Sequence, residues 1–209
     1  MLAIIDYDAG NIKSVEKAFE KLGQKVEITR SPEKILKADR IVLPGVGNFG
    51  DAMGRLDSYG LTSVIRQAAE EQIPVLGICL GLQLFFEGSE ESGGIPGIGL
   101  LKGKCLRFSE RPGYKIPQVG WNSLHLQHMG RLFYGIPEGA YVYFVHSFYA
   151  KAEDERCVKA TCDYTNVVDA SVESGNVFAC QFHPEKSGDV GLHILNNFLQ
   201  ISRGGKKPC

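Results

Sequence analysis

A doubly wound α/β fold, with a mostly parallel sheet and an antiparallel, hairpin-rich extension, is what this chain of 209 residues predicts. Three observations point there. Short apolar runs alternate with helix-period stripes through residues 2–86, the rhythm of strands joined by crossover helices. One run ends on a cysteine held between glycines, Gly77-Ile78-Cys79-Leu80-Gly81, where a strand must turn sharply into a helix. Beyond residue 104 the apolar runs crowd together, with Gly and Pro between them and few helical stripes, which is hairpin patterning.

The elements follow in order. Residues 2–5 are apolar without a polar face and read as a buried strand. No basic stretch precedes them, so the start reads as core and not as a secretory leader, and a cytosolic chain is the expectation. A helix is expected over 12–22, with Asn11 as its N-cap, Gly23 as its C′ residue, and Val15, Ala18, Phe19 and Leu22 as its apolar stripe. Residues 25–29 form a second strand, Ser31-Pro32 opens a short helix, and residues 40–43 form a third strand. Pro44-Gly45-Val46-Gly47 then lies at a strand's carboxyl end, where ligands bind in such sheets. Helical spacing returns over 61–71 through Val64, Ile65 and Ala68, leading into the strand that ends at Cys79. After the helix-like run to Phe86, the polar and Gly-rich residues 87–99 read as a loop.

The later strand-like runs are 105–108, 132–134, 141–145, 158–162, 168–172 and 177–182. An amphipathic helix over 189–202 turns Leu192, Leu195, Phe198 and Leu199 inward, and a tail over 204–209 is expected to be disordered. The length suits one α/β domain over 1–203. Two stretches sit poorly in a core: residues 115–122, which hold the single tryptophan, Trp121, and the aromatic strand around Tyr143.

The chemistry is concentrated at two places. A thiol at a tight strand-to-helix turn needs neighbours without side chains, and the free N–H groups of the new helix favour negative charge on the sulfur. A small buried core cysteine is the plain alternative for that segment taken alone. Gln181-Phe182-His183-Pro184-Glu185-Lys186 supplies what a nucleophile requires: an imidazole to take the proton, and a carboxylate two residues on to hold the ring. Alone, such a His-x-Glu would be a polar surface loop. With the Gly-Ile-Cys-Leu-Gly turn, the pair points to nucleophilic catalysis by Cys79, His183 and Glu185. The glycines of residues 44–47 suit one half of an oxyanion hole, an N–H near Gly47 joining that of Leu80, each donor worth roughly 3 kcal/mol.

The turn, the His-Pro-Glu and Pro44-Gly45-Val46-Gly47 resemble the class I (triad) glutamine amidotransferases. Further stretches resemble the branch that serves imidazole glycerol phosphate formation: Gly10-Asn11-Ile12-Lys13-Ser14-Val15, Asn48-Phe49-Gly50-Asp51-Ala52-Met53, Pro117-Gln118-Val119-Gly120-Trp121-Asn122, Tyr143-Phe144-Val145-His146-Ser147 and His183-Pro184-Glu185-Lys186-Ser187-Gly188. They span nearly the whole chain, in the family's order. The resemblance implies hydrolysis of L-glutamine, with Gly45, Gln83, Glu91, Ser147 and Phe148 holding the amino acid. It also implies delivery of ammonia to a (β/α)8 cyclase subunit in histidine biosynthesis, with Asn11, Trp121, Tyr143 and Lys186 facing that partner, and no organic cofactor. Asp8, Asn48 and Phe148 depart from the family's pattern. A glutaminase for anthranilate, GMP, purine or pyridoxal phosphate synthesis is the nearest alternative; a cysteine peptidase, a thiol stress protein and a non-catalytic binder that keeps the fold are more distant ones.

The bulk properties exclude other classes. A net charge of -1 gives no electrostatic case for nucleic acid or an anionic membrane. No apolar run is long enough to span a bilayer, since glycines and Gln83 interrupt the one around Cys79. The six cysteines fit neither a dense disulfide scaffold nor a zinc motif, and His125 with His128 lacks further ligands, so no metal is expected.

Overall fold

A computed structural model describes residues 1–204. The expected tail therefore lies, Gly204 apart, outside the described residues. The first half alternates as the periodicity predicts: β1 (Leu2–Ile5), α1 (Ile12–Lys21), β2 (Val26–Thr29), α2 (Pro32–Leu36), β3 (Arg40–Gly45), α3 (Phe49–Ser58), α4 (Leu61–Glu70), β4 (Val75–Cys79) and α5 (Leu80–Leu84). The second half supplies β5 (Gly103–Arg107), β6 (Gln118–Ser123), β7 (His125–Leu126), β8 (Tyr141–His146), β9 (Phe148–Ala152), β10 (Val158–Asp163), β11 (Val167–Ser174) and β12 (Val177–Cys180), closed by α6 (Gly188–Leu199).

Among the described residues the main sheet has eight strands in the order β2-β1-β3-β4-β12-β11-β10-β7. From β2 through β12 the pairings are parallel, and from β12 outward they are antiparallel. Two separate antiparallel pairs, β5 with β9 and β6 with β8, make up the hairpin-rich part. Strand alternation divides the apolar residues between the two faces. Ala3 and Ile5 of β1, Ile41 and Leu43 of β3 and Val75 of β4 join the core built with α2, α3, α4 and α5. Leu2, Ile4, Val42, Leu76 and Ile78 join the other, built with α1, α6 and the β6–β8 ribbon. Both faces of β4 are thus covered, and its carboxyl end lies between β3 and β12, strands that bring in the glycine loop and the histidine. No helix among the described residues is long and apolar enough to cross a membrane.

Several local expectations are corrected. Asn11 does not cap α1 through its side chain; its backbone is left-handed, φ 71°, and its amide points elsewhere. Residues 132–134 are not a strand: Leu132 and Phe133 belong to a 3-10 turn, Arg131–Phe133, and Tyr134 follows it, the turn lying against α6, whose Asn197 amide donates to the Leu132 and Tyr134 carbonyls. The 87–99 loop contains a 3-10 turn at Glu90–Ser92. The last helix ends at Leu199, with Ile194, Leu195 and Phe198 its fully buried apolar residues, while Leu192 and Leu199 lie only partly covered.

Candidate active site

Cys79 closes β4 with φ 55° and ψ −107°, a backbone strained for any residue with a side chain. Its glycine neighbours make that bend possible. A Cβ at Gly77 would stand 2.7 Å from the Gly81 carbonyl oxygen, and one at Gly81 would overlap the Leu43 carbonyl of β3. The thiol comes to rest at the wall of a cleft of about 310 Å³. Its Sγ reaches the Val145 carbonyl at 3.8 Å and accepts from the Gln181 amide at the same distance.

β12 and the turn after it carry the second group. The His183 backbone N–H donates to the Tyr143 carbonyl at 2.8 Å, and the Ser187 hydroxyl donates to the His183 carbonyl at 2.6 Å while accepting from the Tyr143 N–H, which together fix the histidine against β8. The imidazole is fully buried, with Nδ1 2.7 Å from Glu185 Oε1. Among the described residues its Nε2 has no hydrogen-bond partner. Burial opposes charge on this ring, yet the Cys79 thiol beside it and then the Glu185 carboxylate outweigh burial and raise its pKa to about 9. The sequence-predicted Cys79, His183 and Glu185 are therefore brought together.

The remaining predicted residues divide. Gly47, Leu80, Gln83, Glu91, Ser147 and Phe148 line the cleft, with Gly47 at φ 104° beside the first residue of α5. The Gln83 amide donates to the Phe148 carbonyl at 2.8 Å and to Gln181 Oε1 at 3.1 Å, so its orientation is fixed from two sides. Glu91 accepts from the Phe49 N–H at 2.7 Å, holding its carboxylate at the start of α3 and at the cleft rim. Gly45 lies beneath the cleft and not on its wall: it pairs with Cys79 across β3 and β4, and a Cβ there would collide with the Tyr7 hydroxyl. Trp121 is 56% exposed and meets the Tyr143 ring edge-on at 5.9 Å, while Lys186 is exposed. Asn11, expected on the same outer surface, is half-buried and directs its amide to Glu185 Oε1 at 2.6 Å.

Two lining or supporting residues were not singled out from the sequence. Gln181, just past the end of β12, links Gln83 to the Cys79 sulfur, contacts across 98 and 102 residues of chain that no local pattern signals. His146 lines the cleft and donates from Nδ1 to the Phe148 carbonyl at 2.8 Å. Burial, offset in part by that hydrogen bond and reinforced by His183, lowers its pKa to about 4, so the ring is neutral and Nε2 is left as a buried acceptor without a partner.

The profile of the class-I glutamine amidotransferases matches residues 3–201. The protein called imidazole glycerol phosphate synthase subunit HisH in Thermosynechococcus vestitus is 50% identical over 202 residues, covering 96% of this chain and 96% of its own. Its namesake in Moorella thermoacetica is 47% identical, covering 97% and 95%, and that of Methanocaldococcus jannaschii is 45% identical, covering 96% and 100%. Among solved structures, PurLQS from Thermotoga maritima superposes with a TM-score of 0.72 at 23% identity, over 95% of this chain and 96% of that one, and a crystal structure of a glutamine amidotransferase does so with a TM-score of 0.72 at 20% identity, over 94% and 98%. At that identity these two show the fold.

Proposed function

This chain belongs to the class-I glutamine amidotransferases, and from that premise we propose that it is the glutaminase subunit of an imidazole glycerol phosphate synthase of histidine biosynthesis. The Cys79 thiol gives its proton to His183 and attacks the side-chain amide carbon of L-glutamine. Glu185 holds the imidazolium through Nδ1, so that Nε2, which has no other partner, faces the sulfur and the leaving nitrogen. His183 then protonates the amide nitrogen, the C–N bond breaks, and ammonia departs from a γ-glutamyl thioester. Water, deprotonated by the same imidazole, adds to the thioester; the C–S bond breaks, glutamate leaves, and the thiol recovers its proton.

The oxyanion that forms in both halves needs donors already in place. We assign them to the N–H groups of Gly47 and Leu80, each worth roughly 3 kcal/mol. Gln83, Glu91 and the backbone at Ser147 and Phe148 would receive the amino-acid end of glutamine, Glu91 by pairing with the α-ammonium. The ammonia passes to a cyclase subunit docked on the side of Trp121, Tyr143, Asn11 and Lys186, the whole forming a cytoplasmic heterodimer. Residues 1–203 act in this reading as one catalytic domain.

The observation that carries the reading is the buried Nδ1-to-carboxylate bond on a histidine whose other nitrogen is left for the thiol. An electrophilic glutamine analogue tests it. It should alkylate Cys79 alone, and excess glutamine should protect the thiol. Labelling at any other cysteine, or no protection, would contradict the assignment.

A further inference from the structure

Glu185 carries its hydrogen bonds unevenly. Oε1 accepts from His183 Nδ1 at 2.7 Å and from Asn11 Nδ2 at 2.6 Å, while Oε2 is buried without a partner. A carboxylate that met the ring alone could exchange its two oxygens by rotating about its last bond. With a second donor fixed on Oε1, that oxygen is pinned in line with the imidazole. From this geometry we infer that Asn11 is a positioning residue of the hydrolysis, acting through Glu185 and so through His183.

The backbone around Asn11 is built to hold the amide there. Asn11 sits at φ 71° and Asp8 at φ 62°, both in the left-handed region that Asn and Asp tolerate better than other side chains. Asp8 is clamped by Arg30 at 2.7 Å and by the Tyr59 hydroxyl at 2.5 Å, and its carbonyl accepts from Arg55 at 2.6 Å. The segment also touches the opposite wall of the cleft: the Tyr7 hydroxyl donates to the Pro44 carbonyl at 2.8 Å, and a Cβ on Gly10 would stand 2.7 Å from Val46 Cγ2. One loop, 6–11, therefore braces both the glycine loop and the carboxylate that orients the base.

The inference rests on the glutaminase reading and is tested separately from it. Asn11→Gly removes the donor while leaving the left-handed backbone unstrained, and Asn11→Asp keeps the backbone preference but replaces the donor with an acceptor. Each should lower kcat for glutamine by roughly tenfold to a hundredfold, the scale of a lost hydrogen bond to a charged group, with KM changed less than about twofold. Each should also move the His183-dependent inflection in the pH profile of Cys79 alkylation by iodoacetamide, identified as the inflection that His183→Ala abolishes. An unchanged inflection and unchanged kcat in Asn11→Gly would overturn the role of Asn11 alone. A wild-type chain with no His183-dependent inflection would overturn the glutaminase reading, and this inference with it.

Discussion

His146 stands at the cleft wall with its ring neutral, and the cause is burial against Phe108 and Phe144. A histidine whose native pKa is depressed to about 4 stabilises the fold fully above the unfolded value near 6.5 and loses that contribution as pH falls toward about 4. The loss should reach roughly 3 kcal/mol, read as a falling Tm across that window, and His146→Gln should flatten it. His183 has the opposite sign: raised to about 9, it stabilises below 6.5 and loses that contribution as pH rises through 9. The described cysteines other than Cys79 share one direction. Burial pushes the thiols of Cys105, Cys157 and Cys180 up, and that of Cys162 to about 12, so they should resist alkylation at neutral pH. Serine or alanine at any of the four should leave glutamate release within about twofold of wild type and alter only stability. A loss of turnover at Cys180→Ala without unfolding would contradict this. The distinction between Cys79 and the rest is local, carried by two flanking glycines, which is why it could be read in the sequence.

Elements reached through local pattern were legible, and those held by distant partners were not. The β4–α5 turn is the first kind, since Gly77 and Gly81 are required by close approach of neighbouring backbone. Gly81→Ala should push α5 off the Leu43 carbonyl, cost roughly 3 kcal/mol or more, and displace Leu80 from the cleft, seen as a lower Tm together with lost turnover. α3 is the second kind. Gly50 and Gly54 weaken its propensity, and its start is secured by the Asn48 side chain on the Asp51 N–H at 3.1 Å and by Glu91 on the Phe49 N–H. Asn48, a departure from the family's usual residue, is thus a helix cap. Glu91 arrives from residues 42 positions away, which no local pattern can reveal. Asn11 illustrates the limit from the other side: Asn before an apolar helix signals a cap, yet a carboxylate 174 residues on takes its amide. Residues 118–123 became β6 because β8 pairs with them along their whole length, and Gly120 at φ 133° obscured the strand.

Across the whole molecule, the doubly wound sheet brings three strand ends together: β3 delivers the glycine loop, β4 the Cys79 thiol and β12 the turn that carries His183. The β6–β8 ribbon joins this centre to the exposed Trp121, whose ring meets the half-buried Tyr143, and the Tyr143 carbonyl accepts from the His183 N–H. A partner docked on that ribbon and on Lys186, as proposed, would be one hydrogen bond from His183. The isolated chain should therefore hydrolyse glutamine slowly, and a nucleotide-loaded cyclase should raise the rate by about 10²–10³, the scale of gaining one oxyanion donor at Gly47. An isolated chain as fast as the complex would rule out that coupling, and Lys186→Ala with normal binding and stimulation would remove Lys186 from it. The central claim is that Cys79 is the nucleophile of glutamine hydrolysis and of nothing else. Its most direct test is Cys79→Ala in the assembled enzyme, following glutamate release from glutamine and cyclase turnover on added ammonium salts at high pH. Glutamate release should fall by at least about a thousandfold while the ammonium-driven reaction keeps its rate within about twofold; glutamate release near the wild-type rate would contradict the account.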